Sequence, residues 1–530
     1  MGQEDVPGDS AVQGGTGSAE PVPPSPTVPP PAVPATLRDA VLAGALLGPA
    51  NAATAEALAA LIAGTEPVAE AWFGSHAPVL HADAETFRLA LDRDIAALDA
   101  LIADQLDAIL HHKRLQRLEA SWRGLAWLAE QCAAMSRVKV KLLPLPWTEL
   151  VRDLERAIEF DQSRIFEKIY EGEFGTPGGE PFGLLVGDYG VRHRRSAESP
   201  TDDVAALGAM AGVAAAAFAP FVVAADPTLF GLEDFGELSG VRDLAGIFRA
   251  AEYDRWRNLQ ALEDARFLGI VLPRVLTRLP HANDGTRADG FAYAEAATHR
   301  RTRGWTNAIY AFAGVVARAA AAHGWPADVK GTDRDRIGGG LVTALPVERF
   351  AADRAGVGPR FAAEVALTDR QDQELSELGF IPLTVLRNTI EAAFGAVRSL
   401  QVAKTYVGAT GQVATANARL SAQLSTMMCV SRFAHYIKVI GRDRVGSYAT
   451  PEECEAALQK WLTGYVNANT RAGPEMMARY PLADARVSVS ELPGRPGHYG
   501  CTIHLQPQFQ LDDIAATFRL VTEVPARQAA

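Results

Sequence analysis

The sequence predicts a mixed α/β (α+β) protein: an α/β body with a long N-terminal helical hairpin and a C-terminal domain of helices plus antiparallel strands. Three observations carry this. Apolar residues recur every three or four positions over residues 83–111, which is a helical period. The spacing drops to two at Val138, Val140 and Leu142. Strand and helix patterns then alternate to about residue 400, and three alternating strands follow near the C-terminus. At 530 residues the chain has room for about three domains, each able to bury a core without a metal or disulfide staple.

Residues 1–35 hold nine prolines and few large apolar side chains, and read as a disordered acidic tail. Residues 36–82 read as short helices. Thr36 and Asp39 have capping-box spacing, Leu37, Val41, Leu42, Leu46 and Leu47 follow at helical intervals, and Gly48-Pro49 stops the helix. A helix of about a dozen residues is marginal alone, so it either docks on its own protein or serves as a peptide for a partner. Two more short helices are expected after Asn51 and around residues 66–73.

Residues 83–405 read as the core region. Phe87, Leu91, Ile95, Leu98, Ile102, Leu106 and Ile109 form one stripe, and a second helix over 115–132 carries Leu118, Trp122, Leu125 and Leu128, so the two can pair as a hairpin. Val138, Val140 and Leu142 alternate with Lys139 and Lys141 as in a half-exposed strand. Buried strands are expected at 182–186, 221–225, 267–272 and 361–367, and helices at 202–218, 254–264 and 306–323. Residues 204–225 carry no charge over a length that spans a bilayer, but Pro220 and the Ala/Gly content favour a buried helix, a turn and a core strand.

Residues 406–530 form the last block. A helix is expected over 412–439, then one over 450–465 with Thr450 as cap and Pro451 at its first position. Val487 and Val489 belong to a strand, 493–497 to a turn, Tyr499, Cys501, Ile503 and Leu505 to a second strand, and Ile514, Ala516, Phe518 and Leu520 to a third. A long alternating strand at a chain end needs pairing within or between subunits.

The chemistry is sparse. The formal charge of −12 disfavours a nucleic-acid partner. Lys404-Thr405 lacks the glycines of a phosphate loop, and there is no G-x-S-x-G elbow or H-E-x-x-H motif. Cys132, Cys429, Cys454 and Cys501 show no zinc spacing and read as reduced thiols, and the histidines suggest no metal site. The glycine-rich runs at 174–183 and 337–341 read as tight turns, and His435 as a structural histidine inside a helix. No secretory signal is visible, no membrane insertion is expected, and no cofactor is implied.

Eight segments in one order carry a resemblance: ILHH at 109–112, WRGL at 122–125, EFGTPGGEPFG at 173–183, GDY at 187–189, AAAAFAPF at 214–221, LPR at 272–274, SRFAHYIK at 431–438 and QPQFQLDDI at 506–514. They resemble the large subunit of the type VI secretion contractile sheath, the TssC/VipB family. The resemblance implies a non-enzymatic structural protein of the bacterial cytoplasm. Its implied partners are the small sheath subunit (TssB/VipA), further copies of itself, the Hcp inner tube, the baseplate and the AAA+ ATPase ClpV. It also implies terminal arms that interlock between subunits, carried here onto Ile503, Leu505, Phe518 and Leu520. The ATPase-recognised helix is matched by position to Leu37, Val41, Leu42, Leu46 and Leu47. A divergent paralogue that caps or regulates a sheath, and an α/β enzyme with a dispersed site, are the competing readings.

Overall fold

A computed structural model describes residues 36–44, 51–64, 68–288, 290–332, 337–348, 360–386, 389–404, 406–408, 411–443, 450–469, 473–491, 498–508 and 518–525. The expected tail at 1–35, Leu46, Leu47, the stop at 48–49, the turn at 493–497 and Ile514 and Ala516 lie outside the described residues. The chain divides into two units, residues 1–105 and 106–530.

In the first unit, helices α1 (Leu37–Leu42), α2 (Ala52–Ile62), α3 (Val68–Phe73) and α4 (Ala77–His81) precede α5 (Ala84–Leu110), most of which belongs here. Thr36 caps α1 by accepting the Asp39 N–H at 3.1 Å. Helix α1 ends at Leu42, and Gly44 follows with φ of +73°, so the helix is shorter than its apolar spacing suggests. The fold of this unit turns on Asp94, which is 3 % exposed. Its carboxylate accepts Arg38 Nε at 2.7 Å, Arg38 Nη2 at 2.6 Å and Trp72 Nε1 at 2.9 Å, tying α1 and α3 to α5. The Arg38 hydrogen bond holds that carboxyl below the usual carboxylate range, against the opposing effect of burial.

The second unit opens with α6 (Lys113–Cys132), α7 (Trp147–Arg156) and α8 (Arg164–Phe166), which runs into π-helical turns over Glu167–Gly175. Then come β1 (Leu185–Val191), α9 (Asp203–Ala216), β2 (Phe221–Ala225), α10 (Leu244–Arg249), α11 (Asp254–Ala261) and β3 (Leu268–Leu272). After these lie β4 (Arg274–Leu276), β5 (Trp305–Asn307), α12 (Ile309–His323), β6 (Leu341–Val342), α13 (Asp369–Glu377), β7 (Phe380–Val385) and β8 (Ala392–Phe394). The central sheet has the order β1-β2-β3-β7-β8-β6; its first four strands are parallel, and β8 and β6 are antiparallel to their neighbours. Helices α9 and α12 cover it, so β2 and β3 are apolar throughout and buried on both faces.

The uncharged stretch at 204–225 resolves into α9 and β2, with Asp202 capping α9 by accepting the Ala205 N–H. Gly124 of the WRGL segment lets α6 lie against α12, since a Cβ there would stand 2.4 Å from the Tyr310 ring. Thr306 Oγ1 donates to the Ala120 carbonyl at the same crossing. Arg274 of the LPR segment forms a bidentate pair with Glu364, whose side chain is buried.

Three strand expectations fail here, the first because β1 starts only at Leu185 and none of residues 182–186 is buried. Residues 361–367 are mostly buried but form only an isolated bridge, Val275 to Ala363, because Ala362 and Glu364 each exchange one backbone bond with β4. Residues 138–142 form no strand at all: no backbone–backbone hydrogen bond involves residues 139–145 among the described residues. The apolar stripe of α5 is not fully covered: Leu91, Ile95, Ile102 and Ile109 remain 36–54 % exposed.

The C-terminal part contains α14 (Gly411–Ser421), α15 (Leu424–Asp443), α16 (Pro451–Thr463), α17 (Pro474–Arg479) and the antiparallel strands β9 (Leu482–Glu491), β10 (His498–Pro507) and β11 (Phe518–Pro525). The single helix expected over 412–439 is two, broken at Ala422–Gln423. Ser399 N–H donates to the Ala422 carbonyl and Leu424 N–H to the Val397 carbonyl, which withdraws those groups from helical bonding.

Candidate assembly surfaces

Three regions hold the residues expected to meet partners or leave apolar side chains exposed. The first is α1. Val41 is 4 % exposed and packs within the N-terminal unit, while Leu37 and Leu42 are half-buried. The helix thus docks on its own protein, held by the Arg38–Asp94 pair.

The second is the terminal sheet, ordered β11-β10-β9. Ile503 and Leu505 are fully buried, in a core with Cys454, Leu458, Leu462 and Leu482. The backbone register sets Ile503 opposite Leu520 and Leu505 opposite Phe518, so all four expected interlock residues meet across one strand pair. The outer edge of β9 is occupied by side chains of α16. Gln459 Nε2 donates to the Ala485 carbonyl, its Oε1 accepts the Val487 N–H, and Glu455 Oε2 accepts the Val489 N–H, each at 2.9 Å. Gln459 presents one donor and one acceptor to the strand, as a neighbouring peptide group would. Closer to the start of β9, Leu482 exchanges backbone bonds with Tyr465 and Asn467. That edge is closed to further strands.

The third is a groove of about 1800 Å³ in the second unit. Its walls come from α6, α12, β1, the 179–183 loop, residues 136–147 and the later turns of α15. Leu118, Trp122, Val140, Leu142 and Leu143 line it and remain 49–62 % exposed. The EFGTPGGEPFG segment forms part of this wall and supplies two carboxylates: Glu180 pairs with Lys139 at 2.5 Å, and Glu173 pairs with Lys141 while accepting the Glu180 N–H. Glu173 is held below the usual carboxylate range, first by its hydrogen bond from Lys141. Tyr189 of the GDY segment donates to the Leu145 carbonyl at 2.6 Å. Its neighbour Asp188 accepts Asn307 Nδ2 at 2.7 Å.

His435 lies at the back of the groove. Its Nε2 sits 2.9 Å from the Ala217 carbonyl, and burial pushes its pKa down to about 4. The ring contacts Phe174 and Phe218, an environment that keeps the imidazole neutral. Lys438 stands 3.7 Å over the Phe174 ring. The SRFAHYIK segment therefore acts here through packing: its Phe433 stacks on Trp325 at 4.1 Å.

Among the described residues no group of three His, Cys, Asp or Glu could hold a metal ion, and no helix is long and apolar enough to cross a membrane. The four cysteines are free thiols, with Cys429 and Cys501 pushed up to about 12 by burial. Sequence reasoning missed the Gln459–Glu455 edge contacts altogether. A polar residue on the face of α16 turned toward β9 has no distinguishing spacing.

Comparison with known proteins gives a consistent picture. Residues 92–401 match the family model described as EvpB/VC_A0108, tail sheath N-terminal domain, and residues 413–524 match the tail sheath gpW/gp25-like domain. The chain is 38 % identical over 446 residues to the type VI secretion system sheath protein TssC1 of Pseudomonas aeruginosa, covering 83 % of this chain and 87 % of that one. The solved sheath tail protein Lin1278 from Listeria innocua aligns over 61 % of this chain and 60 % of its own at 12 % identity, with a TM-score of 0.27 that is too low to bear on the fold.

Proposed function

The chain belongs to the EvpB/VC_A0108 tail sheath family, and from that premise we propose that it is the large structural subunit of a type VI secretion contractile sheath in the bacterial cytoplasm. The observation that carries the reading is the 38 % identity to a sheath protein over most of both chains, with both sheath domains matched in order. The exposed apolar side chains of α5 and of the groove support it, since such surface is characteristic of a protein that buries it in assembly. In this reading residues 83–405 are the sheath core and 406–530 the C-terminal sheath domain. The chain co-assembles with a small sheath subunit and with copies of itself around an Hcp-type tube on a baseplate, and it performs no catalytic step.

Two regional roles follow within the proposal. Ile503, Leu505, Phe518 and Leu520 mark the strands through which neighbouring subunits interlock. Leu37, Val41, Leu42, Leu46 and Leu47 mark the segment that a ClpV-type ATPase grips, which requires α1 to leave its seat beside Asp94. The test is electron microscopy of this chain expressed alone and with the small subunit. Hollow tubes only in the co-expressed sample are the expected result; non-polymerising protein in both overturns the reading. Deleting residues 36–48 leaves tube formation intact and abolishes ATPase-driven disassembly. Loss of assembly instead overturns the role given to α1.

A further inference from the structure

Residues 138–143 have the alternation of a strand, yet in this chain they lack a strand's partner. Lys139 and Lys141, two positions apart, both turn to the carboxylates of the 173–180 region, which is the alternation of an extended chain. That leaves Val140 and Leu142 to alternate with them, both at least half exposed. Among the described residues no hydrogen bond involves the backbone groups of residues 139–143, so donors and acceptors stand unpaired along the groove.

We propose that residues 138–143 are half of an intermolecular strand pair, completed by an extended segment of the small sheath subunit that is apolar at alternate positions and acidic at its flank. The inference rests on the sheath reading above and adds where and how the partner binds.

Three features select this occupant. The groove, at about 1800 Å³, exceeds the roughly 300–1,000 Å³ typical of small-molecule sites, which points to a polypeptide. An added strand satisfies the free peptide groups by main-chain pairing and sets its alternate side chains against Leu142 and Trp122, whereas a docked helix leaves the peptide groups unpaired. Charge supplies the third feature. Arg117 and Arg137 on the groove's rim have no carboxylate partner among the described residues, on a chain whose formal charge is −12. An acidic flank finds its counter-charge there. The ion pairs of Lys139 and Lys141 hold the segment in place before the partner arrives, which lowers the ordering cost of binding.

The test uses the full chain, alone and co-purified with the small sheath subunit. Hydrogen exchange at the amides of residues 139–143 is expected to slow at least tenfold in the complex. The double substitution Val140→Lys/Leu142→Lys is expected to cut the co-purified yield at least tenfold while leaving thermal unfolding of the free chain unchanged, because both side chains are exposed. Arg117→Glu/Arg137→Glu is expected to weaken the complex most at low salt. A complex that forms with these amides still exchanging freely, or with protection confined to α6 as for a docked helix, overturns this inference and leaves the sheath reading standing. Failure of the two chains to co-purify overturns both.

Discussion

His435 sits between two phenylalanine rings with its Nε2 against the Ala217 carbonyl and its pKa pushed down to about 4. The unfolded chain takes up a proton there near 6.5, and the folded chain does so only near 4. Between those values the unfolded state binds more protons, so the folded state loses stability as pH falls through that window and regains it as pH rises. The loss attributable to this residue is about 3 kcal/mol at the acid end. Urea titrations of the wild type and His435→Gln at pH 7, 6, 5 and 4.5 test it. Their difference in stability is expected to shrink as pH falls, and a constant difference would show that the imidazole is not the titrating group. The structural role of His435 was legible from its place inside a helical pattern, whereas its aromatic surroundings were not: Phe174 and Phe218 lie more than 200 residues away in sequence. Gly124 is similar, since only the nearness of Tyr310 shows why a side chain is excluded there.

At the scale of elements, α16 and β9 form a unit in which one glutamine stands in for a strand. Replacing Gln459 by Ala leaves the Ala485 carbonyl and the Val487 N–H without those partners, at a cost of about 1–3 kcal/mol. Amide exchange at Val487 is expected to accelerate at least tenfold in Gln459→Ala, with more aggregation as the edge opens. Unchanged exchange would mean that another group covers the strand. The elements that were legible are those whose periodicity and caps agree, such as α9 behind Asp202 and α16 behind Thr450. The misreadings share a cause. Apolar spacing reports which face a residue takes, while strand and helix limits depend on where backbone partners lie. The alternation at 138–142 is real but unpaired, the apolar run at 361–367 meets only β4, and the 3.6-residue period runs on through Ala422–Gln423 although residues 397–399 claim those peptide groups.

Across the whole molecule, the sheath resemblance was legible because long motifs fall in one order, and the motifs now have physical reasons. WRGL sets α6 on α12, EFGTPGGEPFG pins the unpaired segment, LPR anchors Glu364, and SRFAHYIK joins the terminal core to the body. The docking of α1 was left open by the sequence because the Arg38–Asp94 pairing joins residues 56 positions apart. The exposed stripe of α5 carries its own prediction. Ile95→Lys/Ile102→Lys is expected to change the stability of the free chain by no more than about 0.5 kcal/mol, since both positions are half exposed. The same pair is expected to reduce tube yield sharply in negative-stain images of the co-expressed sheath. Normal tubes from this variant would show that the stripe stays in solvent in the assembly.

Trp325 follows directly on Gly324, the residue that ends α12, yet its ring lies among Phe433, Tyr436 and Tyr465 in the core that β9 and β10 cover. In mechanical terms it is a rivet. A load applied to β10 passes through that aromatic cluster into α12 and so to the central sheet, bypassing the linker on either side of α14. Tension along the terminal strands is then shared over many packed contacts at once, the geometry of shear, in which a joint yields as a whole instead of unzipping one contact at a time.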